Sequence, residues 1–463
     1  MGLRERIDRL FAISARGSSV RTEVIGGIVT FFTMAYIIVV NPAVLRVAGL
    51  PEGPSTVATI VVAVLGTLLM ALLANRPIAI APYMGENAFV AYTVVVALGF
   101  TWRQGLTAVF LAGVLFAAIT VLGVRGRLAN AIPASLKISF GVGIGLFLAF
   151  IGLYETGIVT SAAAGLPPEA LVDAGTGRLT APAVPVRIGN LADPLVLLAV
   201  GGFTLIVVLM ALRVRGAMLI GIAASGIAAI GLGAGELPRR VVAMPFVGEY
   251  SLAPIAFRLD FGAVFEAAFV PVLLTIFLMA FLDTVGTLIG VGAAGGMLDE
   301  DGNFPDIERP MLADALASVA AGLVGTTTAG AYIESATGIE EGARTGLAAL
   351  VTAAAFALSL PFIPLFAPIQ DLACAWGPPL IVVGILMMRQ VARLPVGDLT
   401  ELVPAVATIL MIAFTWNIAN GMMAGLVLWP ALKTITGRAR EVRAEVWVLG
   451  ALSALYFAFG LTH

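Results

Sequence analysis

Residues 325–335 read GTTTAGAYIES, and this polar, glycine-containing stretch interrupts an apolar part of the chain. Its threonines are β-branched and its glycines disfavour a helix, so the pattern predicts an extended piece and then a short helix that starts near Glu334. Non-helical backbone at membrane depth must be lined by protein or water, and its free N–H groups and helix-dipole ends form polar ligand sites. We therefore expect a broken helix that carries a site, with a glycine-kinked structural helix as the alternative.

A second break of the same kind is predicted earlier in the chain. Residues 78–82 (IAIAP) favour extended backbone, and a helix is expected from Gly85 onward. Aligning the two breaks sets Glu86 against Glu334, an offset of 334 − 86 = 248 residues. The run TFFTMAY at 30–36 matches TIFLMAF at 275–281 at nearly the same offset, 275 − 30 = 245. These matches indicate an internal repeat, with chance similarity in an apolar sequence as the alternative.

The composition indicates that most of the chain lies in lipid. Of its 463 residues 60% are hydrophobic and 12% are charged, whereas soluble domains are about half apolar and a quarter charged. A helical crossing needs about 20 apolar residues, and uncharged stretches of this kind predict fourteen segments. They cover residues 24–45, 55–75, 77–99, 105–124, 138–154, 194–212, 216–235, 267–298, 315–333, 335–339, 345–368 and 372–388, and residues 402–432 as two helices broken near Trp416 and Asn417.

The predicted fold is an all-α polytopic membrane protein with two inverted repeats of seven segments, because seven crossings, an odd number, separate the two copies. Its expected parts are a cytoplasmic amphipathic segment (1–21), the first repeat (22–235), an external connection (236–266), the second repeat (267–436) and a tail (437–463). Arginines cluster at one side of the crossings, which predicts a cytoplasmic N-terminus. Residues 155–193 are expected to form an external loop without a folded domain. The apolar run 446–461 is either a surface helix or an extra crossing.

Several classes of function are disfavoured by composition. The net charge of −2 comes without a basic block, so no nucleic-acid partner is expected. Cys374 is the single cysteine and His463 the single histidine, which leaves too few ligands for a zinc site or a histidine-based catalytic relay. We expect neither an enzyme nor a cofactor.

Three carboxylates lie inside otherwise apolar segments, namely Glu86, Asp283 and Glu334. A carboxylate at the centre of a membrane helix costs about 2.5 to 3.5 kcal/mol, so such residues usually face the interior of the bundle and mark a transport pathway. The alternative is a structural role, in which each carboxylate pairs with a backbone amide or with a cation such as Lys137. Tyr332 could stack on a flat heterocycle or simply pack in the core.

Four runs of the sequence resemble the AzgA-like purine permeases of the nucleobase/ascorbate transporter superfamily. The resemblance extends from Thr22 to about Val442. The runs are TFFTMAYIIVVNP (30–42), APYMGENAFVAY (81–92), DTVGTLIG (283–290) and TTTAGAYIESATGIEEGARTG (326–346). The resemblance implies a substrate-carrying core (segments 1 to 4 and 8 to 11), a gate (segments 5 to 7 and 12 to 14), and short strands before the half-helices of segments 3 and 10.

The resemblance also implies which residues bind the substrate. It assigns this role to Asn87, Asp283 and Glu334, with Tyr332 as a stacking platform. Residues of the same two breaks complete the expected site, and Asp283 and Glu334 are the expected proton carriers. The candidate substrate-binding residues are Met84, Glu86, Asn87, Asp283, Thr327, Thr328, Tyr332 and Glu334.

The expected function is import of purine nucleobases, namely adenine, guanine and/or hypoxanthine, by proton symport with an elevator-type movement in the cell membrane. A homodimer through the gate is expected from the resemblance. The alternatives are sodium-coupled nucleobase uptake and an anion exchanger of the same inverted-repeat fold. A membrane-embedded enzyme that acts on lipid could rest only on Asp283 and Glu334 as a carboxylate pair.

Overall fold

The computed structural model describes residues 3–123, 132–167, 171, 184–238, 240–266, 268–298 and 304–459. Helices dominate this part of the chain. They are α1 Leu3–Phe11, α2 Val20–Met34, α3 Ile37–Val47, α4 Glu52–Leu69, α5 Met84–Ala88, α6 Trp102–Val121, α7 Ala134–Glu155, α8 Pro194–Ala211, α9 Ala217–Gly231, α10 Phe269–Ala294, α11 Glu308–Val324, α12 Ser335–Glu340, α13 Gly346–Ser359, α14 Ala367–Gln370, α15 Ala373–Met388, α16 Leu399–Phe414, α17 Ile418–Ile435 and α18 Ala444–Phe459.

Four short strands accompany the helices: β1 Ile80–Pro82, β2 Val159–Ser161, β3 Val186–Ile188 and β4 Ala329–Ala331. The strands β1 and β4 form an antiparallel pair, in which Ile80 is opposite Ala331 and Pro82 is opposite Ala329. The short strands expected before the half-helices of segments 3 and 10 are therefore present, and they pair with each other. Because one strand comes from each half of the chain, the pair brings the two predicted breaks side by side.

Nine helices in the described ranges are long and apolar enough to cross a membrane, and four further apolar helices are shorter. The fourteen crossings stay a prediction. The helices of the two halves pack in reciprocal pairs: α4 contacts α13 and α6 contacts α11, while α7 contacts α15. Within each half, α8 packs on α9 and α16 packs on α17. Corresponding helices of the two halves thus make corresponding contacts, which is the pattern that an inverted repeat produces.

Two breaks in the helices bear on the sequence predictions. A turn at Thr415–Asn417 separates α16 from α17, at the position expected from Trp416 and Asn417. The first crossing, expected over 24–45, lies in one span from Val20 to Val47, in which a short turn separates α2, ending at Met34, from α3, beginning at Ile37. The intervening residue Tyr36 thereby points its hydroxyl into the interior of the bundle, where it meets Glu334.

One further expectation is corrected, and one loop gains a detail. In the loop 155–193, which was expected to hold no folded domain, β2 and β3 form a short antiparallel pair. Segment 9 was expected to begin at residue 315, whereas α11 begins at Glu308 and places Asp314 inside the helix, fully buried. Asp314 was taken as the boundary of the segment because it is charged, but in the structure its carboxylate accepts hydrogen bonds inside the bundle.

Close helix packing positions the short helix α12 that follows β4. A Cβ atom on Gly338 would overlap Thr30 and the carbonyl oxygen of Gly26, so only glycine permits α12 to approach α2 this closely. The expected N-terminal amphipathic helix is present as α1, and after it Phe11 and Ile13 pack on Leu347.

Candidate functional site

The backbone pairing of β1 with β4 continues for one residue beyond each end of the strands. The Tyr83 N–H donates to the carbonyl oxygen of Thr328 at 2.9 Å, and the Tyr332 N–H donates to that of Ala79 at 2.9 Å. Within a membrane every backbone polar group needs a partner inside the protein or in a water-filled cavity. Pairing the two interruptions with each other meets that requirement for one edge of each strand.

Side chains cover the outer edges of the same strands. On the β1 side, Thr67 of α4 accepts a hydrogen bond from the Ile80 N–H at 2.9 Å. On the β4 side, Ser318 donates to the carbonyl oxygen of Ala329 at 2.8 Å, and Asp314 accepts from the Ala331 N–H at 3.0 Å. Helices α4 and α11 therefore hold the two strands in equivalent ways.

Asp314 is a buried carboxylate that the sequence analysis missed. It accepts hydrogen bonds from the Thr284 hydroxyl at 2.8 Å as well as from the backbone of β4. In the sequence Asp314 stands one position before an apolar stretch, and an acidic residue at such a position is easily interpreted as a solvated helix end. Its contacts identify it as the residue that fixes β4 to α10 and α11.

Glu334 lies directly before α12 and its side chain is only partly exposed. One of its carboxylate oxygens accepts a hydrogen bond from the Tyr36 hydroxyl at 2.8 Å. This contact joins the break of the first crossing to the break that carries Glu334. A carboxylate held by one donor keeps further acceptor positions for a ligand that brings N–H groups.

Tyr332 and Tyr83 form a parallel pair of rings beside Glu334. Their centroids are 6.3 Å apart and their planes differ by 7°. Both hydroxyls are committed within the chain, since Tyr332 donates to the carbonyl oxygen of Pro82 and Tyr83 bonds to Thr284 at 3.3 Å. Gly330 lies so close to the Tyr83 ring that a Cβ atom there would overlap it. The rings are thus rigid walls of the site, and stacking of a substrate on Tyr332 stays a prediction.

Asn87 is fully buried in α5, next to Met84. Its amide nitrogen donates to the side-chain oxygen of Asn41 at 2.9 Å and contacts the Met84 sulfur at 3.6 Å. Asn41 in turn donates to Thr59 at 2.7 Å and to Thr326 at 3.0 Å. The sequence analysis missed Asn41, although it stands in the apolar run 30–42, and its contacts fix the orientation of the Asn87 amide.

Unpartnered polar atoms gather around the two breaks. Glu86 is fully buried, and within the described chain neither of its carboxylate oxygens has a hydrogen-bond partner. The same holds for the Asn87 side-chain oxygen and for the hydroxyls of Thr327 and Thr328. Buried polar atoms without partners are rare in proteins, so their concentration here indicates a site that takes up a polar ligand or water.

Electrostatic interactions connect some of the candidate residues. Glu86 interacts with Asp283 of α10, and Tyr332 interacts with both Glu86 and Glu334. Among the described residues no lysine or arginine forms an ion pair with these three carboxylates, so the structural alternative of a pairing with Lys137 gains no support. Tyr332 therefore lies within electrostatic range of one carboxylate from each break, Glu86 and Glu334.

The described part of the chain contains no group of three or more histidine, cysteine or acidic side chains that could hold a metal ion. A helical bundle in which two half-helices and their paired strands enclose a buried polar site is the architecture of a secondary transporter. The site fits this class, because it offers buried acceptor atoms beside two parallel aromatic rings.

Comparison with known proteins names the family. Residues 21–424 match the model of a permease family, the nucleobase/ascorbate permeases. The guanine/hypoxanthine permease PbuO of Bacillus subtilis is 38% identical over 96% of this chain and 98% of its own. The adenine permease AdeP of Escherichia coli is 35% identical over 99% of this chain and 97% of its own. The chain belongs to this permease family, as its resemblance to the AzgA-like purine permeases indicated, and it is a multi-pass membrane transporter.

Among solved structures, the fold is similar to the transmembrane domain of the cyanobacterial bicarbonate transporter BicA. The TM-score is 0.63, with 14% sequence identity over 88% of this chain and 97% of that one. At this identity the likeness concerns the fold alone. It agrees with the inverted-repeat architecture expected from the sequence.

Proposed function

We propose that this protein imports purine nucleobases, namely adenine, guanine and/or hypoxanthine, by proton symport with an elevator-type movement. The proposal rests on the site and on the relatives, whose names state guanine, hypoxanthine or adenine as the substrate. A purine is a flat heterocycle with N–H donors and ring-nitrogen acceptors. It needs carboxylate and amide partners at its edge and apolar or aromatic surfaces at its faces.

The single observation that carries the proposal is the set of polar atoms at the two breaks that keep hydrogen-bonding capacity. Glu334 retains acceptor capacity beside its bond to Tyr36, and the Asn87 oxygen and the Thr327 and Thr328 hydroxyls lack partners within the described residues. In the proposed complex Glu334 accepts hydrogen bonds from ring N–H groups, which are strong because the acceptor is charged and the site is dry. Asn87 reads the edge of the base, with Met84 and Tyr332 beside it.

Asp283 and Glu334 are the proposed proton carriers. Both lie in or beside the site without a cation partner among the residues described, and Asp283 interacts electrostatically with the buried Glu86. Protonation of one acid would reduce the negative charge of the site when substrate binds. Release of the proton and the substrate to the cytoplasm would then couple the proton gradient to uptake.

The proposed movement carries a core (segments 1 to 4 and 8 to 11) past a gate (segments 5 to 7 and 12 to 14). Ion pairs at two places support it: Arg46 pairs with Asp371, and Arg215 pairs with Glu341. Each pair links a residue of the proposed core to a residue that borders the proposed gate. In the proposed cycle these two links break in alternation. We also propose a cytoplasmic N-terminus, residence in the cell membrane and a homodimer through the gate.

Anion exchange, the alternative suggested by the fold of BicA, is disfavoured by the electrostatics of the site. Four carboxylates surround it, those of Glu86, Asp283, Asp314 and Glu334, and no lysine or arginine of the described residues pairs with them. An anion would need a cation or helix N-termini without compensating acids. Sodium coupling remains the stronger competitor, since carboxylate and hydroxyl oxygens suit that ion.

The test is uptake of radiolabelled hypoxanthine and adenine by the purified protein in proteoliposomes. We expect accumulation under an imposed inward pH gradient and its loss on addition of a protonophore. Accumulation that needs a sodium gradient and ignores the protonophore would refute proton symport. Exchange of bicarbonate or sulfate without purine uptake would refute nucleobase transport itself.

A further inference from the structure

A cavity of about 340 Å³ lies away from the strand pair, where four segments of the chain meet. Three of its lining residues are arginines, and each is half-buried. They come from the segment after α1, from the connection between α4 and β1, and from the connection between α12 and α13. The lining residues are Arg16, Arg76, Gly295, Gly296, Met297 and Arg344. We call this space the arginine cavity.

Backbone carbonyl groups orient the three guanidinium groups. Arg16 donates to the carbonyl oxygen of Asn75 at 2.6 Å, and Arg76 donates to that of Pro305 at 2.9 Å. Arg344 donates to the carbonyl oxygens of Ile339 and Ala343, both at 2.7 Å. A guanidinium carries five N–H donors, so each arginine keeps several donors for another acceptor after these bonds.

The positive charge in the arginine cavity is incompletely balanced. No carboxylate of the described residues forms an ion pair with any of its three arginines. Two acids act nearby: Asp306 interacts electrostatically with Arg76, and Glu23 bonds to the backbone N–H groups of Arg344 and Thr345. Burial, and then the charge of Arg16, lowers the pKa of Arg76. Within the described part of the chain, these like charges therefore lie close together without an acidic partner in an ion pair.

Room is available beside the guanidinium groups. Gly296 has a φ of +61°, and a Cβ atom there would meet nothing within 4 Å. A volume of this size is at the lower end of the range for small-molecule sites, about 300 to 1,000 Å³. Converging arginines bind phosphoryl groups well, because the planar fork of N–H donors matches two oxygens of the anion at once.

We propose that the arginine cavity binds an anion that carries a phosphoryl group. Such an anion would join the segment after α1 to two connections, the one between α4 and β1 and the one between α12 and α13. Arg344 makes this link direct, since its guanidinium bonds to Ile339 in α12, the half-helix that follows Glu334. The phosphoryl group could belong to a soluble phosphate ester or to the headgroup of an anionic phospholipid, and both present the same chemistry to the arginines.

The experiment measures binding to the full chain in an uncharged detergent without lipid. Pyrophosphate is titrated into the protein at constant ionic strength, with binding followed by calorimetry and by thermal unfolding. The test variant is R16Q/R76Q/R344Q. The matched control is R389Q/R393Q/R440Q, which removes the same charge from three exposed arginines. A second arm repeats the unfolding in nanodiscs of phosphatidylcholine, with and without phosphatidylglycerol.

We expect saturable binding to the wild type and the control, and an affinity lower by about 10-fold to 100-fold in the test variant, as the loss of charged hydrogen bonds implies. Stabilisation by pyrophosphate identifies a soluble ligand. Stabilisation by phosphatidylglycerol alone, lost in the test variant, identifies a headgroup. The single variants R76Q and R344Q serve the same comparison if the triple variant does not fold.

Two outcomes would overturn the proposal. The first is a wild type that neither ligand stabilises. The second is an equal loss of binding in the test variant and the control, which would mean non-specific charge attraction.

Discussion

Glu334 combines a fixed orientation with spare acceptor capacity. The Tyr36 hydroxyl holds one carboxylate oxygen at 2.8 Å, and the paired rings of Tyr83 and Tyr332 border the same space. A carboxylate pre-oriented in this way loses little freedom when a ligand binds, so most of the hydrogen-bond energy contributes to affinity. The chemistry of the site at this scale depends on single atoms, and substitutions that change one atom are the most informative.

Glu334→Gln replaces one carboxylate oxygen by an NH2 group and removes the negative charge. We expect purine affinity to fall about 10-fold to 100-fold, because hydrogen bonds to charged groups contribute about 1.5 to 3 kcal/mol each. Uptake kinetics and equilibrium binding of hypoxanthine measure the effect. The control is Glu340→Gln, an exposed residue at the end of the same helix. Near-normal hypoxanthine affinity in Glu334→Gln would remove this residue from the binding site.

Asn87→Ala removes an amide whose nitrogen is committed to Asn41 and whose oxygen lacks a partner within the described residues. An amide that reads the edge of a base should affect adenine, guanine and hypoxanthine differently, because their edges present different donors and acceptors. Competition of the three bases against labelled hypoxanthine uptake measures the selectivity. An equal loss for all three would mean that Asn87 only supports the fold.

At the scale of elements, the strand pair β1–β4 is held from both edges. Hydrogen bonds from Thr67, Ser318 and Asp314 complete what the strands do not provide for each other. The two half-helices therefore start from a rigid base. A perturbation of the strands should change the stability of the whole site and not only one contact.

Gly330→Ala introduces a methyl group where the Tyr83 ring and hydroxyl already lie. We expect a loss of about 1 to 3 kcal/mol in stability, the usual cost of overpacking, together with weaker purine binding as the Tyr83 ring is displaced. Thermal unfolding with and without hypoxanthine measures both. The control Gly290→Ala lies in α10, where a Cβ atom would meet nothing within 4 Å. Equal stability of the two variants would contradict the packing described here.

An ion-pair cluster ties α16 to the turn after α17. Lys433 is buried and pairs with Glu401 at 2.7 Å and with Glu441 at 2.9 Å, while Arg438 pairs with Asp398 at 2.6 Å and with Glu441 at 2.7 Å. Hydrogen bonds from Thr400 and Arg438 hold the pKa of Asp398 below its usual value, and those from Arg438 and Lys433 lower the pKa of Glu441.

These lowered pKa values predict how stability depends on pH. A carboxyl group with a depressed pKa in the folded state adds stability above its unfolded pKa, and this stability is lost as the pH falls through the folded value. Arg438→Gln should therefore lower the melting temperature at pH 7 and make its decrease shallower from about pH 4.5 downward, as the pH falls below the ordinary pKa values of these carboxyl groups. Arg440→Gln, an exposed neighbour, should follow the wild type. A steeper decrease in Arg438→Gln would contradict the assignment.

At the scale of the whole molecule, transport requires that binding of the substrate be coupled to a change that spans the bilayer. We propose Asp283 for this role, because it interacts with Glu86 and has no cation partner among the described residues. Its helix α10 also carries Thr284, which bonds to Asp314 and so to the base of β4. A change of charge at Asp283 is therefore one residue away from a contact that positions the strand.

Asp283→Asn should separate substrate binding from energy coupling. We expect exchange of internal for external purine to be partly retained, because an amide still fills the position, and uphill accumulation under a pH gradient to be abolished. Both are measured in the same proteoliposomes. If this variant still concentrates purine, the proton carrier lies elsewhere, and Glu334 and Glu86 are the next candidates to test.

Much of the architecture could be read from the sequence because lipid imposes long apolar helices and few breaks. The helix breaks near residues 78–82 and 325–330 followed from proline, glycine and β-branched residues, and the break near 416–417 followed from the length of the apolar run 402–432. The turn at Tyr36 was not predicted, because its bond to Glu334 is a tertiary contact that joins residues far apart in the sequence. Asp314 was missed for a similar reason: its burial depends on Thr284 and β4, which are distant or later in the chain.

The pairing of β1 with β4 has a consequence for how the protein is made. Ile80 meets Ala331, so 331 − 80 = 251 residues must be synthesised before the first strand can find its partner. At about 5 to 20 residues per second, ribosomes need roughly 13 to 50 s for that length. During this interval the inner edge of β1 has no strand beside it, and a nascent chain stopped within the first half would carry unpaired peptide groups at membrane depth. The insertion machinery must therefore shelter β1 until Ala331 has been made, and truncated products should be cleared by membrane proteases.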